Sequence, residues 1–244
     1  MKVIAFNGSP RGRESNSHII FAPLLEGARE AGAETEEIFL VDRDVKQCRG
    51  CFNCWQVTPG ECVIEDEMSE LLKLYLESDY AGMATPVYNL FMTGLLKNFV
   101  DRFLPLATPH IHKNEDGTFY HEGRVQKFPR EFFIANSGFP GPDNFELLKM
   151  LMDYKEPVLE IYRNSGEVLS SSRESIPDYS LQKIDDFTIS LQEAGREMVE
   201  EGEVSGELVQ RLHEDLIDDG DYMRLANEEW DEMLKYSGNS CEKY

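Results

Sequence analysis

The sequence contains no apolar run approaching the ~18 residues of a membrane-spanning helix, and no charged leader precedes an apolar stretch. A soluble, cytoplasmic protein without a membrane partner is the expectation. Positive charge is scarce. Lys and Arg number 24 against 46 Asp and Glu, giving a formal charge of −22, so nucleic-acid backbones and anionic membrane surfaces are repelled rather than bound. The loop after the first apolar run also lacks the Gly-Lys-Ser/Thr ending of a P-loop and the G-x-G-x-x-G of a dinucleotide fold. Two large nucleotide-binding classes therefore fit poorly.

That loop is nevertheless built for an anion. Val3-Ile4-Ala5-Phe6 reads as a strand, and Asn7-Gly8-Ser9-Pro10-Arg11-Gly12-Arg13-Glu14-Ser15-Asn16-Ser17-His18 joins it to a helical pattern. A helix start offers unpaired N–H groups and the positive end of its dipole. Ser15, Asn16 and Ser17 are suited to capping and to donating hydrogen bonds to phosphate. A monophosphate site and an ordinary, well-capped strand–helix loop both fit these residues.

Strand and helix patterns alternate through the first two thirds of the chain. Ile19, Ile20, Ala22, Leu24, Leu25 and Ala28 form a helical stripe that contains Pro23 and ends near Gly32. Glu37–Val41 reads as the second strand, and a helix starting at Asp66–Ser69 precedes the third strand at Tyr80–Thr85. Leu95, Leu96, Phe99, Val100 and Phe103 keep helical spacing. Residues 105–130 lose the pattern and read as an insertion with a hairpin across Glu115-Asp116-Gly117. Glu131–Asn136 and Val158–Tyr162 complete five strands, separated by a helix over Phe145–Met152. Such alternation predicts an α/β fold, a doubly wound five-stranded parallel sheet.

Residues 179–200, 205–217 and 221–236 follow with helical periodicity and breaks at Gly202, Gly206 and Gly220. From residue 165 onward the net charge is −14, read as a solvated helical surface. The expected division is a domain over 1–165 and an acidic helical extension over 166–244, packed on that domain or on a partner subunit.

In an open parallel sheet the ligand lies beyond the carboxyl ends of the strands. Loops 7–18, 85–91 and 136–142 share that edge. The second brings Pro86 and the rings of Tyr88 and Phe91. The third brings Asn136, Ser137 and Gly138, where a missing side chain permits close backbone approach. Lys97, Asp101 and Arg102 read as a helix-surface charge group, and His110, His112 and His121 as exposed loop residues without matching metal partners.

Gly8-Ser9-Pro10-Arg11 with Ser15-Asn16-Ser17, then Thr85-Pro86-Val87-Tyr88 with Leu96-Lys97-Asn98-Phe99-Val100-Asp101-Arg102, resemble the NADPH-dependent FMN reductase group of the flavodoxin-like flavoproteins. The resemblance spans roughly residues 1–165 and implies strand order 2-1-3-4-5. It implies that Ser9, Arg11, Ser15, Asn16 and Ser17 hold the FMN phosphate. Pro86, Val87, Tyr88, Asn89 and Phe91 would cradle the isoalloxazine, and Ser137, Gly138 and Phe139 would close its far side. No side chain need serve as catalytic acid or base, because the flavin carries the chemistry.

Five cysteines are present, four of them within 15 residues: Cys48, Cys51, Cys54 and Cys62. Clustered thiols suggest a metal or redox centre. The run resembles the compact motif of iron–sulfur flavoproteins, in which four thiolates hold a [4Fe-4S] cluster. It departs from ferredoxin signatures in its longer last interval and in lacking a proline after the fourth cysteine. A cluster, zinc and four free thiols all remain compatible with the spacing. Cys241 reads as an ordinary surface thiol.

The expected function is an FMN-dependent oxidoreductase taking hydride from NAD(P)H and reducing a quinone, flavin or similar small acceptor. The alternative is an iron–sulfur flavoprotein passing single electrons to a ferredoxin-like partner. A homodimer or homotetramer is implied by the resemblance.

Overall fold

A computed structural model of the chain describes residues 1–237; Cys241 lies outside that range. In chain order the elements are β1 (Lys2–Asn7), α1 (Asn16–Glu30), β2 (Glu34–Phe39), α2 (Asn53–Gln56), α3 (Met68–Glu77), β3 (Tyr80–Pro86), α4 (Gly94–Asp101), β4 (Ala107–Lys113) and β5 (Phe119–Gly123). Then follow β6 (Arg130–Asn136), α5 (Glu146–Lys155), β7 (Leu159–Arg163), α6 (Asp178–Glu200), α7 (Gly206–His213) and α8 (Asp219–Ser237).

The main sheet has the order β2-β1-β3-β6-β7, and every pairing in it is parallel. Because β4 and β5 pair only with each other, this is the flavodoxin-like order 2-1-3-4-5 of the expectation. The β4–β5 pair is the hairpin predicted in the 105–130 insertion.

Central strands are buried on both faces, which explains their continuous apolar sequences. One face carries Val3, Ala5, Phe132, Ile134 and Ile161 against Phe21 and Leu24 of α1 and Leu191, Ala194 and Met198 of α6. The other carries Ile4, Phe6, Met83 and Phe133 against Leu71, Leu96, Phe99 and Leu148. Strand β2 begins three residues earlier than its apolar signal, at Glu34. It is an edge strand whose first half alternates exposed with half-buried residues, and pairing with β1, not hydrophobicity, defines it.

The helical extension shares the first core cluster, to which Leu208, Leu212, Leu216, Ile217 and Tyr222 all contribute. Helix α6 lies along α1 through paired glycines. A Cβ on Gly27 would stand 1.9 Å from the Gln192 carbonyl oxygen, and one on Gly195 would stand 2.0 Å from that of Leu24. Only glycine permits this approach. Gly202 breaks the chain with φ +82°, but Gly206 starts α7 and Gly220 falls within the first turn of α8. Among the described residues no helix is long and apolar enough to cross a membrane.

Candidate ligand site at the carboxyl edge of the sheet

The three loops named from sequence meet at the carboxyl ends of β1, β3 and β6, and hydrogen bonds lock them together. Gly8 N–H donates to the Ala84 carbonyl at 2.8 Å, and the Thr93 hydroxyl donates to the Gly8 carbonyl at 2.6 Å. Val87 N–H reaches the Asn136 carbonyl at 2.7 Å, while the Asn136 amide donates to the Ser17 hydroxyl at 2.8 Å. Gly8 is required: a Cβ there would stand 2.7 Å from the Leu96 Cβ. Thr93 also caps α4 by accepting from Leu96 N–H at 3.2 Å.

In the first loop the hydroxyls do not all face the same way. Ser15 is the N-cap of α1; its Oγ accepts from His18 N–H at 3.1 Å and donates to the Gly12 carbonyl at 2.6 Å. Ser9 N–H and Arg11 N–H are held by the Asn7 Oδ1 and the Ser9 Oγ. Asn16 is different. It is buried in the first turn of α1, yet neither its Nδ2 nor its Oδ1 has a hydrogen-bond partner among the described residues. A buried amide left unpaired is costly unless something else satisfies it. No acidic residue occupies that first turn. The Arg11 guanidinium is half exposed and paired with Glu167 at 3.2 Å, whereas Arg13 lies over the Phe39 ring at 4.5 Å.

Sequence reading missed the support beneath this loop. The buried Asn7 amide donates to Glu37 Oε1 at 2.8 Å, and His18 Nδ1 lies 2.6 Å from Glu37 Oε2. Burial pushes the Glu37 carboxyl above its ordinary value, opposed by the Asn7 and His18 hydrogen bonds. Asparagine at the end of a first strand was the only available signal.

The second loop is a tight reversal: Tyr88 and Phe91 exchange backbone hydrogen bonds at 2.9 and 3.1 Å. Asn89 and Leu90 at its tip both adopt left-handed conformations, φ 51° and 66°, a strain uncommon outside glycine. Tyr88 and Leu90 are about half exposed, and Phe139 of the third loop is 69% exposed. Apolar and aromatic groups therefore rim the edge beside the unpaired Asn16. A separate cavity of about 650 Å³ lies at the opposite sheet edge under the hairpin, where Glu131 is already engaged by Tyr75 and Lys155.

The four clustered cysteines occupy one segment at different depths. Cys48 and Cys51 are exposed, Cys62 is half-buried and Cys54 is buried. Among the described residues no three His, Cys, Asp or Glu side chains form a metal-binding group. The thiol chemistry suits a cluster, while the placement of these thiols in this structure does not close round one. Burial pushes the Cys54 thiol up, reinforced by Cys62, Cys51 and Cys48. Trp55 pins the loop by donating to the Leu104 carbonyl at 2.9 Å and packing on His121.

One expectation about this region is corrected. Lys97 and Asp101 do form an exposed surface pair, but Arg102 is buried. Its guanidinium meets the buried Asp66 carboxylate and the Lys46 carbonyl, with Cys62 alongside. Helical spacing cannot distinguish a surface arginine from one over which a loop folds. Of the three hairpin histidines, His110 and His121 are exposed and His112 is half-buried.

Residues 1–115 match the NADPH-dependent FMN reductase family. An iron-sulfur flavoprotein of Archaeoglobus fulgidus is 39% identical over 105 residues, 43% of this chain and 46% of its own length. Another, from Methanocaldococcus jannaschii, is 37% identical over 117 residues, covering 48% and 59%. The chain thus spans about half the length of these curated relatives. Among solved structures, an FMN-dependent NADH-azoreductase from Bacillus anthracis in complex with FMN aligns with TM-score 0.57 at 17% identity. That alignment covers 81% of this chain and 99% of the other. An NAD(P)H:quinone oxidoreductase from Methanothermobacter marburgensis aligns with TM-score 0.53 at 14% identity, covering 81% and 98%. At these identities the structural likeness establishes the fold.

Proposed function

With residues 1–115 matching the NADPH-dependent FMN reductase family, we propose that the chain is an FMN-dependent oxidoreductase that draws on NAD(P)H and reduces a small acceptor such as a quinone or a flavin. The observation that carries this reading is Asn16, a buried side chain with both polar atoms unpaired at an acid-free helix start. An anion at that position would accept from its Nδ2, and the helix dipole would favour the charge.

The residues present fit FMN. Asn16, the first N–H groups of α1, Ser9 and Arg11 would hold the phosphate, with Ser15 shaping the turn as its cap. Ser17 and Asn136 would join the phosphate loop to the third loop. Pro86, Val87, Tyr88, Asn89 and Phe91 would lie along the ring, and Ser137, Gly138 and Phe139 would bound its far side. FMN there supplies the hydride and electron chemistry. The chain's part is to bind, to orient and to exclude water: in a protein of charge −22, local donors must overcome a field that repels phosphate. The exposed Tyr88, Leu90 and Phe139 offer a rim for a flat acceptor or for a second subunit of a homodimer or homotetramer. The working location on this reading is the cytoplasm.

The curated relatives' names favour a second reading, an iron–sulfur flavoprotein with Cys48, Cys51, Cys54 and Cys62 as ligands of a [4Fe-4S] cluster and a ferredoxin-like partner. Anaerobic purification followed by a visible spectrum and flavin, iron and sulfide analysis separates the two. FMN without iron, with NAD(P)H-driven quinone reduction, supports the first reading. Four iron and four sulfide per chain support the second, and a protein that binds no FMN overturns both.

A further inference from the structure

The third loop, 137–142, contains two glycines and two prolines and belongs to no ladder, yet three consecutive carbonyls in it are individually held. Ser137 O accepts from Gly166 N–H at 2.8 Å, and Phe139 O accepts from Ser165 N–H at 2.9 Å. Gly138 O, between them, accepts from the Tyr222 hydroxyl at 2.7 Å. Tyr222 is 5% exposed and belongs to α8, more than 100 residues beyond the segment that matches the reductase family.

The phenol has a second neighbour. The backbone and carboxylate of Glu167 lie beside it, and burial, with the Glu167 charge, pushes its pKa up to about 12. Glu167 in turn pairs with Arg11 of the first loop. The extension is anchored at the same place by Arg163, whose backbone carbonyl accepts from Ser137 N–H at 2.9 Å. The fully buried Arg163 guanidinium reaches the Leu212 and Glu214 carbonyls at the end of α7 and stacks on Phe187.

In a trans peptide the carbonyl and the amide point in opposite directions. Fixing these carbonyls inward therefore fixes the facing of the intervening amides. Phe139 N–H is taken by the Ser137 hydroxyl at 3.1 Å, and Gly138 N–H has no partner among the described residues. We propose that Tyr222 is a positioning residue for the flavin ring: its hydroxyl holds the Gly138–Phe139 peptide while Gly166 N–H holds the Ser137–Gly138 peptide, and together they make the third loop present a fixed face, with the Gly138 N–H free, to the ring. The acidic extension is thereby part of the ligand site. This inference rests on the FMN reading above.

The test is Tyr222→Phe, which keeps the ring and removes the hydroxyl. Affinities for FMN and for riboflavin, which lacks the phosphate, are read by quenching of flavin fluorescence. The bound flavin's visible band shape is recorded alongside. Loss of this one part-buried hydrogen bond is expected to weaken both flavins by about tenfold and to alter the band shape. Leu225→Ala on the same helix, which loosens packing without touching the phenol, is expected to lower the melting temperature and leave both affinities within about twofold. Equal binding by Tyr222→Phe and wild type overturns the proposal, as does equal weakening by Leu225→Ala. Wild-type protein that binds neither flavin overturns the FMN reading and this inference with it. If Tyr222→Phe does not fold, native-state hydrogen exchange of the wild type decides. The Phe139 and Ser165 amides, both hydrogen-bonded within the loop, are expected to open together with α8, and opening independently of that helix overturns the clasp.

Discussion

The Arg102 guanidinium forks onto the Asp66 carboxylate, Nη1 to Oδ2 at 2.6 Å and Nη2 to Oδ1 at 3.0 Å, with both side chains buried. Its first amine also donates to the Lys46 carbonyl, and Asp66 accepts from the backbone N–H groups of Lys46 and Met68. One ion pair thus ties both ends of the cysteine loop to the end of α4.

Burial pushes the Asp66 carboxyl up, but its hydrogen bonds from Arg102, Lys46 and Met68 outweigh that and leave it below the usual carboxylate value of 3.8. A depressed folded pKa means that the unfolded chain binds more protons in acid. The contribution to stability is therefore complete above about pH 4 and is lost as pH falls through the folded pKa. Asp66→Asn should cost about 3–5 kcal/mol at pH 7, because it strands a buried charge. It should also flatten the acid limb of stability below about pH 4. Urea melts from pH 7 down through that limb check both, and an unchanged acid limb contradicts the assignment.

Thr93 joins the first and second loops and caps α4 with one hydroxyl. Thr93→Val keeps the shape and removes both bonds, so the protein should lose on the order of 2–3 kcal/mol, while Thr93→Ser should stay close to wild type. Thermal melts measure the difference.

At the α1–α6 crossing, Gly195→Ala places a methyl group on the Leu24 carbonyl, and the helices must separate to admit it. A loss of roughly 1–3 kcal/mol is expected, read as a lower urea midpoint. A neutral result would show that the crossing is looser than the described contact.

Arg11→Ala should weaken FMN by about tenfold and leave riboflavin unaffected, since the arginine is assigned to the phosphate alone. Glu167→Gln, which removes an anion from beside Arg11, should hold FMN at least as tightly as wild type. Fluorescence titrations of both variants check the pair.

In metal-free protein, the exposed Cys48 and Cys51 should react with a thiol reagent first and the buried Cys54 last. Protein carrying a [4Fe-4S] cluster should show none of the four reacting. Mass spectrometry of the labelled loop peptides distinguishes these outcomes.

The fold could be read from the sequence where burial is two-sided. Tyr80–Thr85 and Glu131–Asn136 sit in the middle of the sheet, and their continuous apolar character is what such positions demand. Reading was poorest where pairing rather than hydrophobicity defines the element, as at Glu34–Phe39. The three ligand loops stood out because they interrupt the pattern with glycine, proline and hydroxyl residues at the ends of strands. Asn7, Thr93 and Tyr222 did not, because their side chains reach Glu37, Gly8 and Gly138, groups distant in sequence.

The sequence by itself determined the period of each element, and hence a parallel sheet with three loops at its carboxyl edge. Local chemistry alone sets periodicity and turns. Tertiary structure alone decided that Arg102 is buried, that Ser15 caps while Asn16 is left unpaired, and that the acidic extension reaches the third loop through Tyr222. Those facts depend on which distant groups the fold brings together, and no local pattern records them.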